Sequence, residues 1–355
     1  MNTSVSTHDV AVTIGRFQPF HNGHLAVLRQ ALAAAPACIV VIGSAHQART
    51  PKNPFSWEER VEMIRLALPE PDRARVSFIP VRDYYDESRW LSVVRRSVES
   101  LLAERGMPTA RVALVGHLKD PTSEYLRGFA GWHFKNIDRV SSFDATAVRD
   151  AYFGHAAGEL DASLAALVSQ APPSTVAFLR AWAELPFFDE LVREWEMLRR
   201  YKQSWDAAPY PPVFVTVDAI VKCNQHVLLI RRGQAPGKGL FAAPGGFIEQ
   251  RETTYQSALR ELEEETHLKL LDTAMRHALK AAVVFDHPDR SQRGRTITHA
   301  HFFDLGEREF PEVRADDDAA AVEWVPIERL VEMEDRFLDD HFHMLDHFLG
   351  LTQEA

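Results

Sequence analysis

The stretch VAVTIGRFQPFHNGHLAVLRQALAAA, residues 10–35, decides the fold of the first half of this 355-residue chain. Its apolar start predicts a buried strand that ends at Gly15, and from His24 onward its apolar residues recur at helical spacing. Further apolar runs of strand length follow at 37–43, 76–81 and 111–116. Strands that alternate with helices at this spacing predict a doubly wound α/β sheet of parallel strands, with ligands bound beyond the carboxyl ends of the strands.

The second half of the chain has a different pattern. A helical segment rich in Leu, Phe and Trp, from about residue 174 to 205, ends at three clustered prolines, Pro209, Pro211 and Pro212. Beyond the prolines, strand-like runs surround one strongly charged helix, which predicts an α+β unit. Two domains are therefore expected, residues 1–206 and residues 207–355, as the length of the chain also favours.

Composition and charge narrow the class of protein. Apolar residues make up 46% of the chain and charged residues 25%, which is typical of a folded globular protein. The net charge of −10 disfavours a general nucleic-acid binder, but local cationic pockets for small anions stay compatible with it. Cys38 and Cys223 lie in apolar runs and predict buried thiols rather than a disulfide. No stretch resembles a signal peptide or a membrane span, so a cytoplasmic protein is expected, and a homo-oligomer is left open.

The segment GRFQPFHNGH, residues 15–24, has the chemistry of a phosphate-binding loop. Gly15 lets backbone approach a ligand closely, and the start of the following helix offers free N–H groups and a positive dipole end. His21 and His24 share one helical face, so both imidazoles could donate hydrogen bonds to one phosphoryl group. The alternative is structural: His21 caps the helix and His24 packs beneath it.

Four motifs in order resemble the HxGH nucleotidyltransferase superfamily and, within it, the nicotinamide mononucleotide (NMN) adenylyltransferases of the archaeal and bacterial bifunctional type. They are GRFQPFHNGH at 15–24, GSAHQARTPKNPFSWEER at 43–60, GHLKDPTSEYL at 116–126 and SSFDATAVR at 141–149. The resemblance implies a Rossmann-like sheet, transfer of an adenylyl group from ATP to NMN, and Mg²⁺ (or Mn²⁺) on the phosphates. The residues implied to contact ATP are Gly15, Phe17, Thr146, Arg149 and the catalytic residues Arg16, His21 and His24.

The acceptor nucleotide is expected near RDYYDESRW, residues 82–90. By the same resemblance, Asp83, Tyr84 and Trp90 would contact the nicotinamide nucleotide. A flat aromatic such as Trp90 can stack on a pyridinium ring, although an aromatic at helical spacing is more often a core residue.

Other positions in these motifs carry two interpretations. Arg49, Lys52 and Lys119 either lie close to a ligand or are solvated charges, and ligand contact is favoured for Arg49 and Lys119. Asp144 stands where the family's late motif usually has Ser. A carboxylate there should repel a triphosphate unless a cation or Arg149 intervenes.

A second constellation lies in GGFIEQRETTYQSALRELEEETHL, residues 245–268. On a helix, Glu261, Glu264 and Glu265 stand three and four residues apart, so their carboxylates share one face. Carboxylate oxygens in this arrangement suit hard divalent cations such as Mg²⁺ or Mn²⁺. The alternative is a charged, solvated helix.

The same run resembles the Nudix box at every fixed position except the last glycine, which is His267 here. The resemblance implies metal ligation and catalysis by the three glutamates, with Glu264 a candidate to help activate water and Arg260 orienting the carboxylates. His267 must then take the left-handed conformation that glycine adopts easily.

The residues that select the substrate of this domain are expected outside the Nudix box. FDHPDRSQRGRTITHAHFF, residues 285–303, resembles the corresponding segment of Nudix enzymes and regulators that recognise ADP-ribose. Its clustered cations, Arg290, Arg293 and Arg295, fit a pyrophosphate, or else they solvate an exposed loop. The neighbouring histidines lack the spacing of a closed zinc site.

The leading hypothesis is a bifunctional enzyme of NAD metabolism. The first domain would convert ATP and NMN to NAD and pyrophosphate, and the second would hydrolyse ADP-ribose to AMP and ribose 5-phosphate. One alternative makes the Nudix domain a sensor that binds ADP-ribose without cleaving it and controls the synthetase. Another alternative replaces NMN by a different phosphate ester. In each case the expected partners are small nucleotides or phosphate esters, with no nucleic acid and no membrane.

Overall fold

The alternating pattern of the first half of the chain builds one sheet of parallel strands, as predicted. In a computed structural model that describes residues 7–118, 121–138, 144–155 and 159–353, the strands are β1 (Val10–Gly15), β2 (Ala37–Ile42), β3 (Val76–Pro80), β4 (Val112–Gly116) and β5 (His133–Asn136). Their order across the sheet is β3-β2-β1-β4-β5, and all neighbours pair in parallel. Because β1 pairs with β2 on one side and β4 on the other, the strand order reverses at β1. Sheets of this kind bind ligands at such a switch point.

Helices connect and cover these strands. They are α1 (Asn22–Ala34), α2 (Trp57–Ala67), α3 (Glu70–Arg73), α4 (Glu87–Glu104), a 3-10 helix (Pro121–Arg127), α5 (Ala145–Phe153), α6 (Leu160–Leu167), α7 (Pro173–Trp182) and α8 (Phe188–Gln203). The central strands β1, β2 and β4 are apolar because they are buried between the layers: Val12 and Val41 pack in one core with Val98 of α4.

The second half forms a mixed sheet. Its strands are β6 (Val213–Cys223), β7 (His226–Arg232), β8 (Phe241–Ala242), β9 (Gly245–Phe247), β10 (Leu279–Phe285), β11 (Arg295–Asp304) and β12 (Ala319–Pro326). The order is β10-β11-β6-β7-β12, with β8 paired to β7 and β9 paired to β6. β11 and β6 run parallel, whereas the pairs at either end of the sheet are antiparallel. This is the α+β unit that the sequence predicts, with the short strands β8 and β9 in addition.

Helices lie on both faces of the mixed sheet. They are α9 (Thr254–Thr266), α10 (Asp272–Ala278), a 3-10 helix (Ile327–Arg336) and α11 (His341–Leu349). Leu262 of α9 packs with Val221 and Phe303 in one core, and Phe342 of α11 packs with Ile220 and Ala300 in another. The apolar face of α9 is therefore buried, and its opposite face carries the glutamates.

The chain divides into two compact units, Met1–Val192 and Arg193–Ala355. The division falls inside α8, ahead of residue 206, where the prolines place it in the sequence. The second half of α8 belongs with the later unit because Glu194 accepts a hydrogen bond from the Gly237 N–H at 2.9 Å. Tyr201 also contacts the ring of Phe214. Among the helices that the structure describes, none has both the length and the apolar character needed to cross a bilayer.

Two candidate active sites

A cavity of about 370 Å³ opens at the switch point of the first unit. It lies where the loop after β1, the loop after β4 and the start of α5 meet. Six residues predicted to contact ATP line it together, namely Arg16, Phe17, His21, His24, Thr146 and Arg149. Lys52, Asn53, His117 and Asp144 complete much of the remaining wall. The structure thus brings residues from both ends of the predicted domain to one cavity.

The two histidines form a stacked pair at the start of α1. Their ring centroids are 3.7 Å apart. Nδ1 of His21 accepts a hydrogen bond from the Gly23 N–H at 3.1 Å, and Nδ1 of His24 accepts one from the His21 N–H at 3.4 Å. His21 therefore caps the helix and also lines the cavity, so both interpretations of this motif hold at once. Because each Nδ1 is an acceptor, a neutral ring carries its proton on Nε2.

Burial keeps both imidazoles neutral. It lowers the pKa of His21 to about 4, and the nearby carboxylate of Asp144 opposes this shift. The pKa of His24 is well below its ordinary value, first because of burial and then because of the neighbouring His21. At neutral pH the pair consequently offers N–H donors without a fixed positive charge.

The ring of Phe17 lies in close contact with the backbone of Gly15. Phe17 takes a left-handed backbone conformation, with φ of 54°, and its ring folds back over Gly15. A Cβ at position 15 would lie 2.8 Å from Cζ of Phe17, so only glycine fits beneath the ring. The predicted glycine is thus needed for packing of the loop.

A buried arginine that sequence reasoning missed fixes the phosphate-binding loop. Arg60 is 1% exposed, and its Nη1 donates to the carbonyls of Arg16 at 2.8 Å and Gly43 at 2.7 Å. Its Nη2 donates to the carbonyl of Ser44 at 3.1 Å. The signal in the sequence is an arginine on the buried face of α2, three residues before Met63.

Arg149 and Asp144 hold the later edge of the cavity. Nη1 of Arg149 donates to the carbonyl of Gln18 at 2.6 Å, and Nη2 donates to Oγ1 of Thr146 at 3.1 Å. Asp144 caps α5 by accepting a hydrogen bond from the Ala147 N–H at 2.8 Å. Ser and Asp are both favoured at this position of a helix, which explains how Asp144 replaces the usual Ser.

The residues predicted for the nicotinamide nucleotide are more dispersed. Asp83 accepts hydrogen bonds from the N–H and the hydroxyl of Ser44, at 3.1 and 2.5 Å. Trp90 packs edge-on against Tyr125, with centroids 5.1 Å apart, and belongs to the hydrophobic core. The core interpretation therefore describes Trp90 in this structure, and its ligand contact stays a prediction.

Of the two loop cations for which ligand contact was favoured, the structure describes only Arg49. Arg49 pairs with Glu59 at 2.7 Å and lies 4.3 Å from the ring centroid of Phe187, so it is a structural residue here. Lys119 and its neighbour Asp120 lie outside the described residues.

The second site is organised by Arg260 on α9. Its Nη1 donates to Oε1 of Glu261 at 2.8 Å and to Oε2 of Glu264 at 2.9 Å. Its Nε donates to Glu252 at 3.0 Å, and its Nη2 donates to the carbonyl of Phe247 at 3.1 Å. One guanidinium thus collects two of the three predicted metal ligands, as a residue that orients carboxylates should.

Glu265, the third predicted ligand, is 3% exposed. It accepts a hydrogen bond from the Gly245 N–H at 2.9 Å, and burial raises its pKa to about 8. Burial also raises the pKa of Glu261. In both cases the charged form is disfavoured in the protein alone, so a cation would stabilise it.

The donor set fits a divalent cation in its chemistry, because it consists of three carboxylates of one helix, of which Glu265 is 3% exposed and the side chain of Glu261 is 13% exposed. Gly246 forms a close cradle: a Cβ there would lie 2.6 Å from Oε2 of Glu261. In the described part of the chain, however, no three acidic, imidazole or thiol groups are arranged to hold a metal ion. Glu261 and Glu264 instead accept hydrogen bonds from Arg260, and Glu265 accepts one from Gly245.

Two of the three predicted pyrophosphate arginines, Arg290 and Arg293, line one cleft, and Arg295 does not. Arg290 forms a buried, two-bond ion pair with Asp340, with both distances 2.8 Å. Arg295 donates to the carbonyl of Asp286. Arg293 lines a cleft beside Gly245 and Gly246 and lies 5.1 Å from the ring centroid of Phe247. Of the three, Arg293 is the one best placed for a phosphate.

Arg232, at the end of β7, lines the same cleft and was missed in the sequence. Burial lowers its pKa first, followed by repulsion from Arg293, while Glu265 opposes the shift. Arg232 and Arg293 thus bring two cations that can bind an anion to one cleft, whose lining also includes Asp218, Asp339 and Asp340. The sequence signal is an arginine that ends an apolar strand and precedes Gly233.

His267 confirms the expectation for the last position of the Nudix box. It ends α9 in the left-handed conformation, with φ of 52° and ψ of 20°. Its N–H donates to the carbonyl of Glu263 at 2.8 Å, and its Nε2 lies 2.7 Å from Asp316. These contacts stabilise a conformation that glycine would adopt without them.

Comparison with known proteins places each half of the chain in a known domain family. Residues 213–348 match the NUDIX domain family, and residues 12–117 match the Cytidylyltransferase-like family. The chain is 33% identical over 188 residues to a nicotinamide/nicotinic acid mononucleotide adenylyltransferase of Acinetobacter baylyi, covering 53% of this chain and 93% of that protein. It is 34% identical over 119 residues to an ADP-ribose pyrophosphatase of Methanocaldococcus jannaschii, covering 34% of this chain and 65% of that protein.

Solved structures of a bacterial enzyme match nearly the whole chain. One is a bifunctional NMN adenylyltransferase/ADP ribose pyrophosphatase from Francisella tularensis complexed with AMP and a manganese ion, at 35% identity. The match covers 97% of this chain and 99% of that one, with a TM-score of 0.87. The chain therefore belongs to the family of bifunctional enzymes that join an NMN adenylyltransferase to an ADP-ribose pyrophosphatase of the NUDIX type.

Proposed function

We propose that the chain transfers an adenylyl group from ATP to NMN, giving NAD and pyrophosphate, and also hydrolyses ADP-ribose to AMP and ribose 5-phosphate. The observation that carries the proposal is the pair of sites on one chain: stacked neutral histidines with two arginines at a cavity, and three carboxylates of one helix beside a cleft lined by Arg232 and Arg293. The whole-length similarity to the Francisella tularensis enzyme supports the pairing of these activities.

In the first reaction an oxygen of the NMN phosphate bonds to the α-phosphorus of ATP, and the bond from that phosphorus to the β-phosphate oxygen breaks to release pyrophosphate. No side chain is needed as a nucleophile. His21 and His24 would donate their Nε2–H groups to phosphoryl oxygens, where negative charge grows in the transition state. Arg16 and Arg149 would supply the positive charge that the neutral imidazoles lack. A divalent cation, when bound, would neutralise charge on the phosphates.

In the second reaction water attacks a phosphorus of the diphosphate, and the bridging P–O bond breaks. Glu261, Glu264 and Glu265 would hold a divalent cation, which, when bound, lowers the pKa of water and screens the diphosphate. Glu264, whose side chain is 46% exposed, can accept the proton of the attacking water. Arg232 and Arg293 would bind the remaining phosphate oxygens.

The intact chain with its variants tests this proposal. The products of ATP with NMN, and of ADP-ribose alone, are separated by chromatography with mass detection in the presence of Mg²⁺ or Mn²⁺. We expect NAD from the first mixture and AMP from the second. His24→Ala should remove only the first product and Glu264→Gln only the second, so each variant is the control for the other.

The two alternatives give different products. ADP-ribose that binds in calorimetry but yields no AMP would support a sensor, although the retained glutamates favour hydrolysis. An acceptor panel of NMN, nicotinate mononucleotide, phosphopantetheine and glycerol phosphate tests the first site. Reaction with the last two alone would overturn the assignment to nicotinamide nucleotides.

A further inference from the structure

Two neighbouring residues at the start of α11, Asp340 and His341, contact two different walls of the cleft in the second unit. Asp340, which precedes the helix, binds Arg290 through both carboxylate oxygens, and their side chains are 2% and 5% exposed. Arg290 belongs to the loop between β10 and β11, residues 286–294, which we call the arginine loop. This loop carries Arg293 to the cleft.

His341 contacts the opposite wall. Its Nδ1 accepts a hydrogen bond from the Ala243 N–H at 3.1 Å. Ala243 begins residues 243–246, a segment that leads into β9 and that we call the glycine turn; its Gly245 N–H donates to Glu265 of α9 at 2.9 Å. Burial lowers the pKa of His341 to about 3, so the ring stays neutral and Nδ1 remains an acceptor at working pH.

A buried ion pair is a weak source of stability, because desolvation of the two charges offsets much of their attraction. What the pair does supply is geometry, since a two-bond contact between a planar guanidinium and a carboxylate fixes both position and orientation. Asp340 fixes the arginine loop through this ion pair, and the adjacent His341 fixes the glycine turn through its hydrogen bond. The two walls are thus held by neighbouring residues of one backbone.

We propose that Asp340 and His341 are positioning residues that set the spacing between the arginine loop and the glycine turn, and thereby the affinity of the cleft for the diphosphate of its substrate. This inference rests on the proposed hydrolysis of ADP-ribose. Both residues also line the cleft, but their polar atoms are bound to Arg290 and to the Ala243 N–H, so the phosphate contacts would come from Arg293 and the glycine turn.

Two variants loosen the ion pair in different ways. Arg290→Lys keeps the charge but cannot make the two-bond contact, and Asp340→Asn keeps the shape but removes the negative charge. We expect KM for ADP-ribose to rise about tenfold in each, with kcat changed by less than about threefold, since the carboxylates of α9 are untouched. The matched control is Asp346→Asn, a 5% exposed carboxylate of the same helix that binds Thr352 instead. It should lower the thermal midpoint and leave KM unchanged.

A double variant separates positioning from stability. Arg290→Met with Asp340→Leu replaces the pair by apolar side chains, a change that is often neutral or stabilising. It keeps the test possible if Asp340→Asn does not fold. A thermal midpoint at or above that of the wild type together with a raised KM supports positioning. An unchanged KM in the double variant and in Arg290→Lys overturns it.

The proposed function can fail independently. If the wild type yields no AMP from ADP-ribose, hydrolysis is excluded, and the same variants are compared by calorimetric titration with ADP-ribose. A dissociation constant that rises in Arg290→Lys but not in Asp346→Asn still supports positioning. Equal constants in the wild type and both variants overturn it.

Discussion

Replacing Gly246 by Ala should disable hydrolysis of ADP-ribose and leave the rest of the protein working. The added Cβ would lie 2.6 Å from Oε2 of Glu261. To reach ordinary van der Waals contact the carboxylate must retreat by roughly 0.8 Å or more. The clashing atoms are the far end of a flexible side chain, so the fold can absorb the change. The carboxylate, however, leaves the position at which it would hold a cation and substrate.

A displacement of about 1 Å at a catalytic group costs about 10²-fold in rate, or about 2.7 kcal/mol of transition-state stabilisation. We therefore expect kcat/KM for AMP release to fall about a hundredfold in Gly246→Ala. NAD formation by the same sample is the internal control and should not change.

Gly245→Ala provides the contrast, because there the added Cβ would lie 2.2 Å from the backbone carbonyl of Val217. Backbone cannot retreat as a side chain does, so this variant should lower the thermal midpoint of the second unit. Hydrolysis by Gly246→Ala within about threefold of the wild type would refute the placement of Glu261 in the reaction.

Three further results are expected in the first unit. His24→Ala should lower the turnover of NAD formation about 10²- to 10³-fold, the scale of losing one transition-state donor, with AMP release unchanged; equal turnover would remove His24 from the site. Arg60→Met should lower the free energy of unfolding by several kcal/mol, because each buried carbonyl left unpaired costs about 1–3 kcal/mol. The control is Arg65→Met on the exposed face of the same helix, which should change the free energy of unfolding little. The pKa of His21 is about 4 in the folded protein, whereas a histidine in an unfolded chain has a pKa near 6.5. Between these two pH values His21 is therefore protonated in the unfolded chain and neutral in the folded protein. The urea midpoint should therefore fall as pH drops from about 6.5 to 4, and a His21→Asn variant, which keeps a capping side chain, should flatten that part of the profile.

The fold class of both units could be predicted because its signals are local. The apolar run at 10–14, its ending at Gly15 and the helical spacing that follows are properties of neighbouring residues. The left-handed conformation of His267 could also be expected from a local signal, because His267 stands at the last position of the Nudix box, where a glycine usually ends the helix.

The composition of each site was only partly predictable. Residues that stand at fixed offsets on one helix, such as His21 and His24, were brought together as expected. Trp90 has the same appearance in sequence as a ligand-stacking aromatic, yet it packs on Tyr125 in the core. Nothing within a helical turn distinguishes the two outcomes.

Tertiary structure alone decided the partners of the charged residues. The sequence placed Arg290 with two other arginines as a phosphate ligand, but its guanidinium donates two hydrogen bonds to Asp340, fifty residues away. Arg60 likewise finds its carbonyl partners on loops that precede it by up to 44 residues. The periodicity of apolar residues depends on the geometry of one helix or strand, so it can be recognised from neighbouring residues of the sequence. A buried charge depends on which distant segment the fold brings beside it, because the cost of burial is offset only where a partner is present.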